Sequence, residues 1–155
     1  MKVYLPQNIY TMIVLCILIF SSCVKKTIRN ETKELADADR YYSRLSVEKG
    51  RNFAFLAMFD SAGVTLAPHR LPIEGYKEIK KQILSQSDRD YTLTWEPMFA
   101  KVAASGELGY TYGTYKLTDK VKKIITDRGT YTTFWQKDAQ GHWKALMDTG
   151  NEGLK

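Results

Sequence analysis

The chain has 155 residues, a length that suits one domain rather than two. Apolar residues make up 44% and charged residues 26% of it, which is the composition of a globular protein and not of a disordered one. Two cysteines and two histidines exclude a disulfide scaffold, a zinc-finger cluster and any metal site that needs several histidines. We therefore expect no metal and no cofactor.

The N-terminal segment has the pattern of an export signal. Lys2 precedes an apolar run over residues 9–20, which is too short to cross a bilayer but has the length of a signal-peptide core. Two serines and Cys23 follow at once, and this pattern resembles the lipobox of bacterial lipoproteins. The resemblance implies that residues 1–22 are removed and that Cys23 carries a diacylglyceryl thioether and an acylated amine. A simple secretion signal, or a short core helix with an incidental cysteine, is the alternative.

Lipidation would make the membrane a partner of the mature chain. Residues 23–33 then form the lipidated cysteine and a polar, basic tether. We expect a bacterial envelope protein facing the periplasm, and Val24 rather than Asp after the cysteine resembles the pattern of sorting to the outer membrane. A nucleic-acid role is not expected despite the net charge of +6, because an exported, anchored protein does not meet nucleic acid. The three lysines of loop 118–127 form either a solvated surface or a contact with anionic lipid or envelope polymer.

Apolar spacing and turn residues predict the elements of the mature chain. Helical periodicity predicts helices over Glu34–Lys49, Arg51–Phe59 and Gly75–Gln86. A turn at residues 60–63 and a short strand, Val64–Ala67, separate the second and third helices. Three helices followed by an antiparallel meander predict an α+β domain over residues 34–150. Alternating apolar residues predict a strand at 91–99, a short Gly-containing loop joins strands 101–104 and 108–117, and two more strands are predicted at 128–136 and 142–148.

Several short motifs along the chain resemble a nuclear-transport-factor-2-like domain of the SnoaL-like and ketosteroid-isomerase-like branch. The resemblance implies a cone-shaped fold, with three N-terminal helices packed on a strongly curved antiparallel sheet around one pocket. It also implies a possible homodimer through the sheet. The superfamily includes isomerases, dehydratases, cyclases and members that only bind or assemble, so the fold does not decide the function. The motifs are Gly50-x-x-x-Ala54-Phe55-Leu56, Pro72-Ile73-x-Gly75, Leu93-x-Trp95-x-Pro97, Gly106-x-Leu108-Gly109-Tyr110-Thr111-x-Gly113 and Gly141-x-Trp143-Lys144-x-x-x-Asp148.

The acids of a ketosteroid isomerase have no counterpart at the matching positions. The resemblance puts the catalytic base at Ala67, before Pro68, and the buried acid of the oxyanion hole near Thr133. Neither residue is a carboxylic acid, so proton shuttling of that type is not expected. The helix-1 tyrosine of those enzymes is matched by Tyr41 or Tyr42.

Three other titratable residues are candidates for catalysis. His69 follows Pro68 at the expected pocket mouth, and an imidazole can act as acid or base near neutral pH. Asp60 or Asp148 would complete a pair with His69 in a lyase, an isomerase or a cyclase. Alternatively, His69 is an exposed loop residue beside a solvated Arg70, and Asp148 is a half-buried carboxylate satisfied by structural hydrogen bonds.

Aromatic residues are numerous on the predicted strands. Tyr110 and Tyr112 share one face of their strand and Tyr115 takes the other, while Tyr131 and Trp135 share a face of theirs. These rings either fill the cone or line a pocket for an apolar, ring-bearing ligand. Our hypothesis is an envelope lipoprotein that binds a small, partly apolar molecule, with an enzyme or a partner-docking module as alternatives. The predicted pocket residues are Tyr42, Phe55, His69, Trp95, Tyr110, Tyr112, Tyr131 and Trp135.

Overall fold

A computed structural model describes residues 30–153 as three helices and one six-stranded sheet. The predicted signal segment and Cys23 lie outside the described residues. Helix α1 covers residues 30–49. The other elements are α2 (Arg51–Met58), β1 (Phe59–Leu66), β2 (Ile73–Glu74), α3 (Tyr76–Leu84), β3 (Tyr91–Val102), β4 (Leu108–Asp119), β5 (Ile125–Lys137) and β6 (Trp143–Glu152).

The sheet has the strand order β2-β1-β6-β5-β4-β3. Strands β3 to β6 form the predicted antiparallel meander, and the α+β class with three helices on one sheet is confirmed. One pair, β1 with β6, is parallel, so the sheet is mixed. Local sequence cannot show this pairing, because a strand's direction relative to a partner about 80 residues away depends on how the intervening chain crosses over.

Two predicted boundaries differ because strands bend without ending. The predicted turn at residues 60–63 is an irregular stretch within β1, whose register against β6 shifts between Phe59 and Val64. There the Ala62 N–H donates to the Asp60 carboxylate at 2.8 Å, which closes a local turn inside the strand. Likewise, residues 91–99 and 101–104 belong largely to the single strand β3, which is irregular between Pro97 and Phe99.

Helix α1 begins earlier than the predicted Glu34, since residues 30–33 of the predicted tether are helical. The Glu31 carboxylate pairs with the Lys137 ammonium of β5, which also lies 5.0 Å from the centre of the Trp143 ring. These contacts hold the start of the helix against the end of the sheet. Within residues 30–153, no helix is long and apolar enough to cross a membrane.

Helix α1 packs along the concave face of the sheet and covers the edge strand β3. The Ser43 hydroxyl donates to the Trp95 carbonyl at 2.7 Å, and the Trp95 N–H donates back to it at 2.9 Å. The Ser46 hydroxyl donates to the Leu93 carbonyl at 2.8 Å. These bonds satisfy backbone groups that an edge strand would otherwise leave unpaired. The large buried side chains between the helices and the sheet include Leu35, Tyr42, Leu45, Met58, Ile79, Trp95, Tyr131, Trp135 and Trp143.

Candidate functional site

A cavity of about 340 Å³ lies between α2 and the concave face of the sheet. Aromatic and aliphatic side chains form most of its wall, and three carboxylates, Asp127, Asp148 and Glu152, supply most of its charge. We call it the aromatic cavity. Its lining consists of Phe55, Met58, Leu66, Ala67, Pro68, Leu93, Trp95, Tyr115, Asp127, Tyr131, Thr133, Asp148, Gly150 and Glu152.

Behind the cavity wall, Asp39 of α1 holds two of the lining rings. Its carboxylate is fully buried and accepts hydrogen bonds from Trp95 Nε1 at 2.6 Å and from Tyr131 Oη at 2.7 Å. Burial raises the pKa of Asp39, and the donated hydrogen bonds act against that rise. Burial and the neighbouring Asp39 also raise the pKa of Tyr131, so its hydroxyl stays a hydrogen-bond donor. The two rings are thereby fixed in orientation at the cavity wall.

Asp148 is the acid that the fold places deepest in this site. Thr133 Oγ1 on the neighbouring strand donates to its Oδ1 at 2.6 Å. Burial raises the pKa of Asp148 to about 6, the Thr133 hydrogen bond acts against this, and the charge of Asp39 adds to it. A carboxyl group with this pKa can take up or release a proton close to neutral pH.

The other two acids lie on the β5 and β6 segments of the wall. Tyr115 Oη donates to Asp127 Oδ2 at 2.9 Å, while burial and this neighbouring carboxylate raise the pKa of Tyr115 to about 12. Glu152 is exposed near the end of β6. In the part of the chain that the structure describes, no group of three or more His, Cys, Asp or Glu side chains is placed to hold a metal ion.

Of the residues predicted for the site, Phe55, Trp95, Tyr131 and Asp148 line the aromatic cavity. Tyr42 does not, because its ring stacks on Trp135 with 5.9 Å between centres and its hydroxyl donates to the Trp143 carbonyl at 3.2 Å. Trp135 is fully buried, and its Nε1 donates to Thr111 Oγ1 at 2.8 Å. These two rings fill the core beside the cavity.

Tyr110 and Tyr112 lie on the opposite, convex face of the sheet, against our expectation. The inward face of β4 carries Gly109, where an added Cβ would stand 2.6 Å from a methyl group of Leu35 on α1. Helix α1 and strand β4 approach too closely at Gly109 for a large side chain on the inward face. Tyr110 and Tyr112 lie on the other face of β4 and point away from the cavity. Tyr115, which shares the inward face with Gly109, is the β4 ring that lines the cavity.

The structure does not bring His69 to either proposed partner. His69 is exposed in the loop between β1 and β2, with a φ of 62°, and it is absent from the cavity lining. Asp60 lies on β1, where it accepts bonds from the Ala62 N–H and the Ser61 hydroxyl. Neither Asp60 nor Asp148 forms an ion pair or a hydrogen bond with His69 within residues 30–153. This arrangement leaves Asp148 without a histidine partner in the cavity.

Sequence reasoning missed Asp39 and did not count Tyr115 among the pocket residues. A signal for Asp39 was present, because it follows Leu35 by four residues and precedes Tyr42 by three on the apolar side of α1. A carboxylate in such a stripe must be paired once it is buried. Its partners, Trp95 and Tyr131, are far away in sequence and are identified only by the fold.

No protein-family model matches the chain, and no curated protein matches its sequence. Solved structures do match. A ketosteroid isomerase-like protein from Erwinia carotovora aligns with a TM-score of 0.62 at 17% identity, over 81% of this chain and 98% of that chain. An NTF2-like protein with a cystatin-like fold from Novosphingobium aromaticivorans aligns with a TM-score of 0.66 at 14% identity, over 83% and 85%.

A third similar structure is that of a Catenulispora acidiphila protein in complex with S-DNPA. It aligns with a TM-score of 0.58 at 13% identity, over 76% of this chain and 91% of that chain. Together with the order of the elements, these matches define the class: the chain has the nuclear-transport-factor-2-like cone fold. At such low identity the likeness concerns the fold, and the function must be argued from the site.

Proposed function

We propose that this protein binds a small, partly apolar molecule in the aromatic cavity. The observation that carries the proposal is the cavity itself, about 340 Å³ with four aromatic rings in its wall. Two of these rings, Trp95 and Tyr131, are oriented by the buried Asp39, so the site is organised before a ligand arrives. The similar Catenulispora acidiphila protein, solved in complex with S-DNPA, supports ligand binding on this fold.

We further propose that the protein is a bacterial envelope lipoprotein, anchored through Cys23 to the outer membrane and facing the periplasm. This proposal depends on the apolar run at residues 9–20 and on the Ser-Ser-Cys that follows it. Lipid chains on Cys23 would keep the domain at the membrane, where apolar small molecules partition. Anchoring and ligand class are therefore consistent with each other.

One preparation tests both proposals. The full chain is extracted from the membranes of its own host and measured by mass spectrometry under native and denaturing conditions. We expect the denatured mass to equal residues 23–155 with a diacylglyceryl group and one further acyl chain, and the native mass to exceed it by a small molecule. Cys23→Ser should abolish the lipid mass, whereas Cys16→Ser should leave it unchanged because residue 16 is removed with the signal. If the native chain and Cys16→Ser both had the mass of a chain without lipid, the proposed lipid anchor on Cys23 would be contradicted.

A pair of variants tests whether the small molecule binds in the aromatic cavity. Asp39→Asn keeps the side-chain volume but alters the acceptor that orients Trp95 and Tyr131. We expect it to retain less of the native ligand than the exposed variant Asp37→Asn. Equal retention by the two variants, or ligand-free native protein in repeated preparations, would contradict binding in this cavity.

An enzyme of the lyase, isomerase or cyclase type is the second candidate, and the observation that favours it is Asp148. Its carboxyl group lines the cavity with a pKa of about 6, which suits general acid–base chemistry. His69 no longer contributes to this hypothesis, because it is exposed outside the cavity. Conversion of the captured ligand by the native protein, lost in Asp148→Asn with binding retained, would establish the enzyme. Unchanged conversion in that variant would exclude Asp148 as the acid or base.

A homodimer through the sheet is a further proposal, and the convex aromatic cluster favours it. This cluster consists of Phe99, Tyr110, Tyr112 and Phe134, with ring centres 5.3 to 6.0 Å apart, and three of the four side chains are more than 40% exposed. Exposed apolar clusters of this kind are typical of interfaces. Sedimentation should show a dimer that the double variant Phe99→Ser, Phe134→Ser converts to a monomer. Tyr91→Ser, an exposed ring outside the cluster, is the control, and a monomeric native chain would contradict the proposal.

A further inference from the structure

A second cavity adjoins the aromatic cavity and has the opposite chemistry. It measures about 210 Å³, lies between α2, α3 and β1, and shares Phe55, Leu66, Leu93 and Asp148 with the aromatic cavity. These four shared side chains place the two cavities next to each other, so a head group in one can belong to a molecule whose body lies in the other. We call the second one the arginine cavity, after Arg51 and Arg70 in its lining.

Neither arginine of this cavity forms an ion pair with a carboxylate among residues 30–153. Arg51 is half-buried at the start of α2, and its Nε and Nη2 donate only to the Asn52 side-chain oxygen next to it, at 3.2 and 2.9 Å. Arg70 makes no side-chain hydrogen bond within residues 30–153. Neither forms an ion pair with any carboxylate of that range. Burial lowers the pKa of Arg51, and the charge of nearby Asp88, which is not part of the cavity lining, acts against this without forming an ion pair.

A buried hydroxyl group in the same lining also lacks a partner. Thr65 of β1 is only 9% exposed, and its Oγ1 has no hydrogen-bond partner among the described residues. Buried hydroxyls are normally paired, because leaving one unpaired in the folded state costs free energy. Thr65 lines the cavity as a residue while its Oγ1 is buried, and a rotation about its χ1 angle would let this unpaired hydroxyl donate to a bound molecule. Thr65 is thus an observation independent of the two arginines.

The remaining polar groups of the lining agree with the same ligand chemistry. Gln82 of α3 and Gln86, which follows the helix, add two side-chain amides, each of which can donate. Among the described residues that line this cavity, Asp148 is the one acid, and it stands where the two cavities meet. Two guanidinium groups and one carboxylate give the lining a net charge of one positive unit.

We propose that the arginine cavity binds the carboxylate of the ligand whose apolar body occupies the aromatic cavity. The ligand class is therefore a small monocarboxylic acid with an apolar, ring-bearing body. One negative charge matches the net charge of the lining, and a planar carboxylate matches the donor geometry of a guanidinium group. A phosphate dianion would bring a second charge towards Asp148, which disfavours it. The inference depends on the proposed ligand binding and adds the chemistry of the head group to it.

The test compares three probes with the same ring. The full native chain, in lipid nanodiscs with empty nanodiscs as the blank, is titrated with 2-naphthoate, 2-naphthamide and 2-naphthyl phosphate in a calorimeter. We expect 2-naphthoate to bind about tenfold more tightly than the neutral amide, and more tightly than the phosphate. The amide keeps the ring and the shape but lacks the charge, so this ratio isolates the contribution of the carboxylate.

Variants then assign the effect to the cavity. Arg70→Gln should reduce the naphthoate-to-naphthamide ratio about tenfold, and Arg51→Gln should do the same. Arg44→Gln removes an equal charge from the exposed side of α1 and should leave the ratio unchanged. Arg70 is itself exposed, so its replacement tests the inference even if Arg51→Gln fails to fold. Thr65→Val should lower the affinity for naphthoate more than for naphthamide.

Each result decides between distinct conclusions. Equal binding of naphthoate and naphthamide by the native chain would overturn the carboxylate inference while leaving the aromatic cavity as a binding site. Tighter binding of the phosphate would overturn the carboxylate in favour of a phosphate head group. If Arg44→Gln lowered the naphthoate-to-naphthamide ratio as much as Arg70→Gln does, the preference would reflect the net charge of the protein. That result would overturn the assignment of the carboxylate to the arginine cavity. Binding of none of the probes would count against the proposed function as well.

Discussion

Replacing Asp148 by Asn should make the protein more stable at neutral and alkaline pH. Burial raises the pKa of this carboxyl group from 3.8 to about 6, so the folded state favours its protonated form. In the native protein the group therefore costs nothing at low pH, where it is protonated in both states. As the pH rises, the unfolded chain ionises it first, and folding is progressively disfavoured until the pH exceeds about 6.

The size of the effect follows from the two pKa values. At about 1.4 kcal/mol per pH unit, a rise from 3.8 to about 6 amounts to about 3 kcal/mol when fully expressed. Asn has nearly the same shape, does not ionise, and can still accept the hydrogen bond from Thr133. The variant should thus match the native chain near about pH 4 and exceed it by about 2 to 3 kcal/mol at about pH 8.

Urea unfolding followed by tryptophan fluorescence, at a series of pH values, measures this difference. Asp90→Asn is the control, since Asp90 is exposed in the loop before β3 and outside both cavities. Its unfolding free energy should follow the native curve at every pH. A native-minus-variant difference that does not change with pH would refute the reasoning. So would a variant less stable than the native chain at about pH 8, because the ionised carboxylate would then have a stabilising partner.

Three further predictions concern the support of the site. Asp39→Ala should lower the unfolding free energy in urea by about 2 kcal/mol, because the buried donors of Trp95 and Tyr131 lose their acceptor. The control Asp37→Ala, on the exposed side of α1, should lower it by less than half as much. Gly109→Ala should cost about 1 to 3 kcal/mol in the same assay, since the new Cβ would stand 2.6 Å from Leu35; a neutral effect would mean that α1 gives way easily. Trp135→Ala should cost about 3 to 5 kcal/mol, and a smaller loss would indicate that the ring is not part of the core.

The elements were predictable because their signals are local. Helical spacing of Leu35, Tyr42 and Leu45 indicated α1, and all three side chains are buried in the structure. Period-two alternation correctly put Tyr131 and Trp135 on one face of β5, which is the buried face. The predicted fold class then followed from the order of helices and strands, and solved structures with the same cone fold confirm it.

The site was less predictable, because alternation separates two faces without telling which one is concave. The sequence showed that Tyr110 and Tyr112 oppose Tyr115 on β4, but we chose the face with more rings as the pocket face. In the structure the face of β4 with fewer rings, which carries Gly109 and Tyr115, turns inward. The reason is that α1 passes close to Gly109 and leaves room only for small side chains there. The choice between faces therefore depends on a helix–strand contact between residues more than 70 positions apart.

The sequence by itself determined the helices, the meander and which residues share a strand face, because neighbours in the chain decide each of these. Only the tertiary structure decided the parallel pairing of β1 with β6 and the burial of Asp39 against Trp95 and Tyr131. It also decided the separation of His69 from Asp148. The physical reason is the same in each case: these contacts join distant segments, and their geometry depends on how the whole chain packs around one cavity.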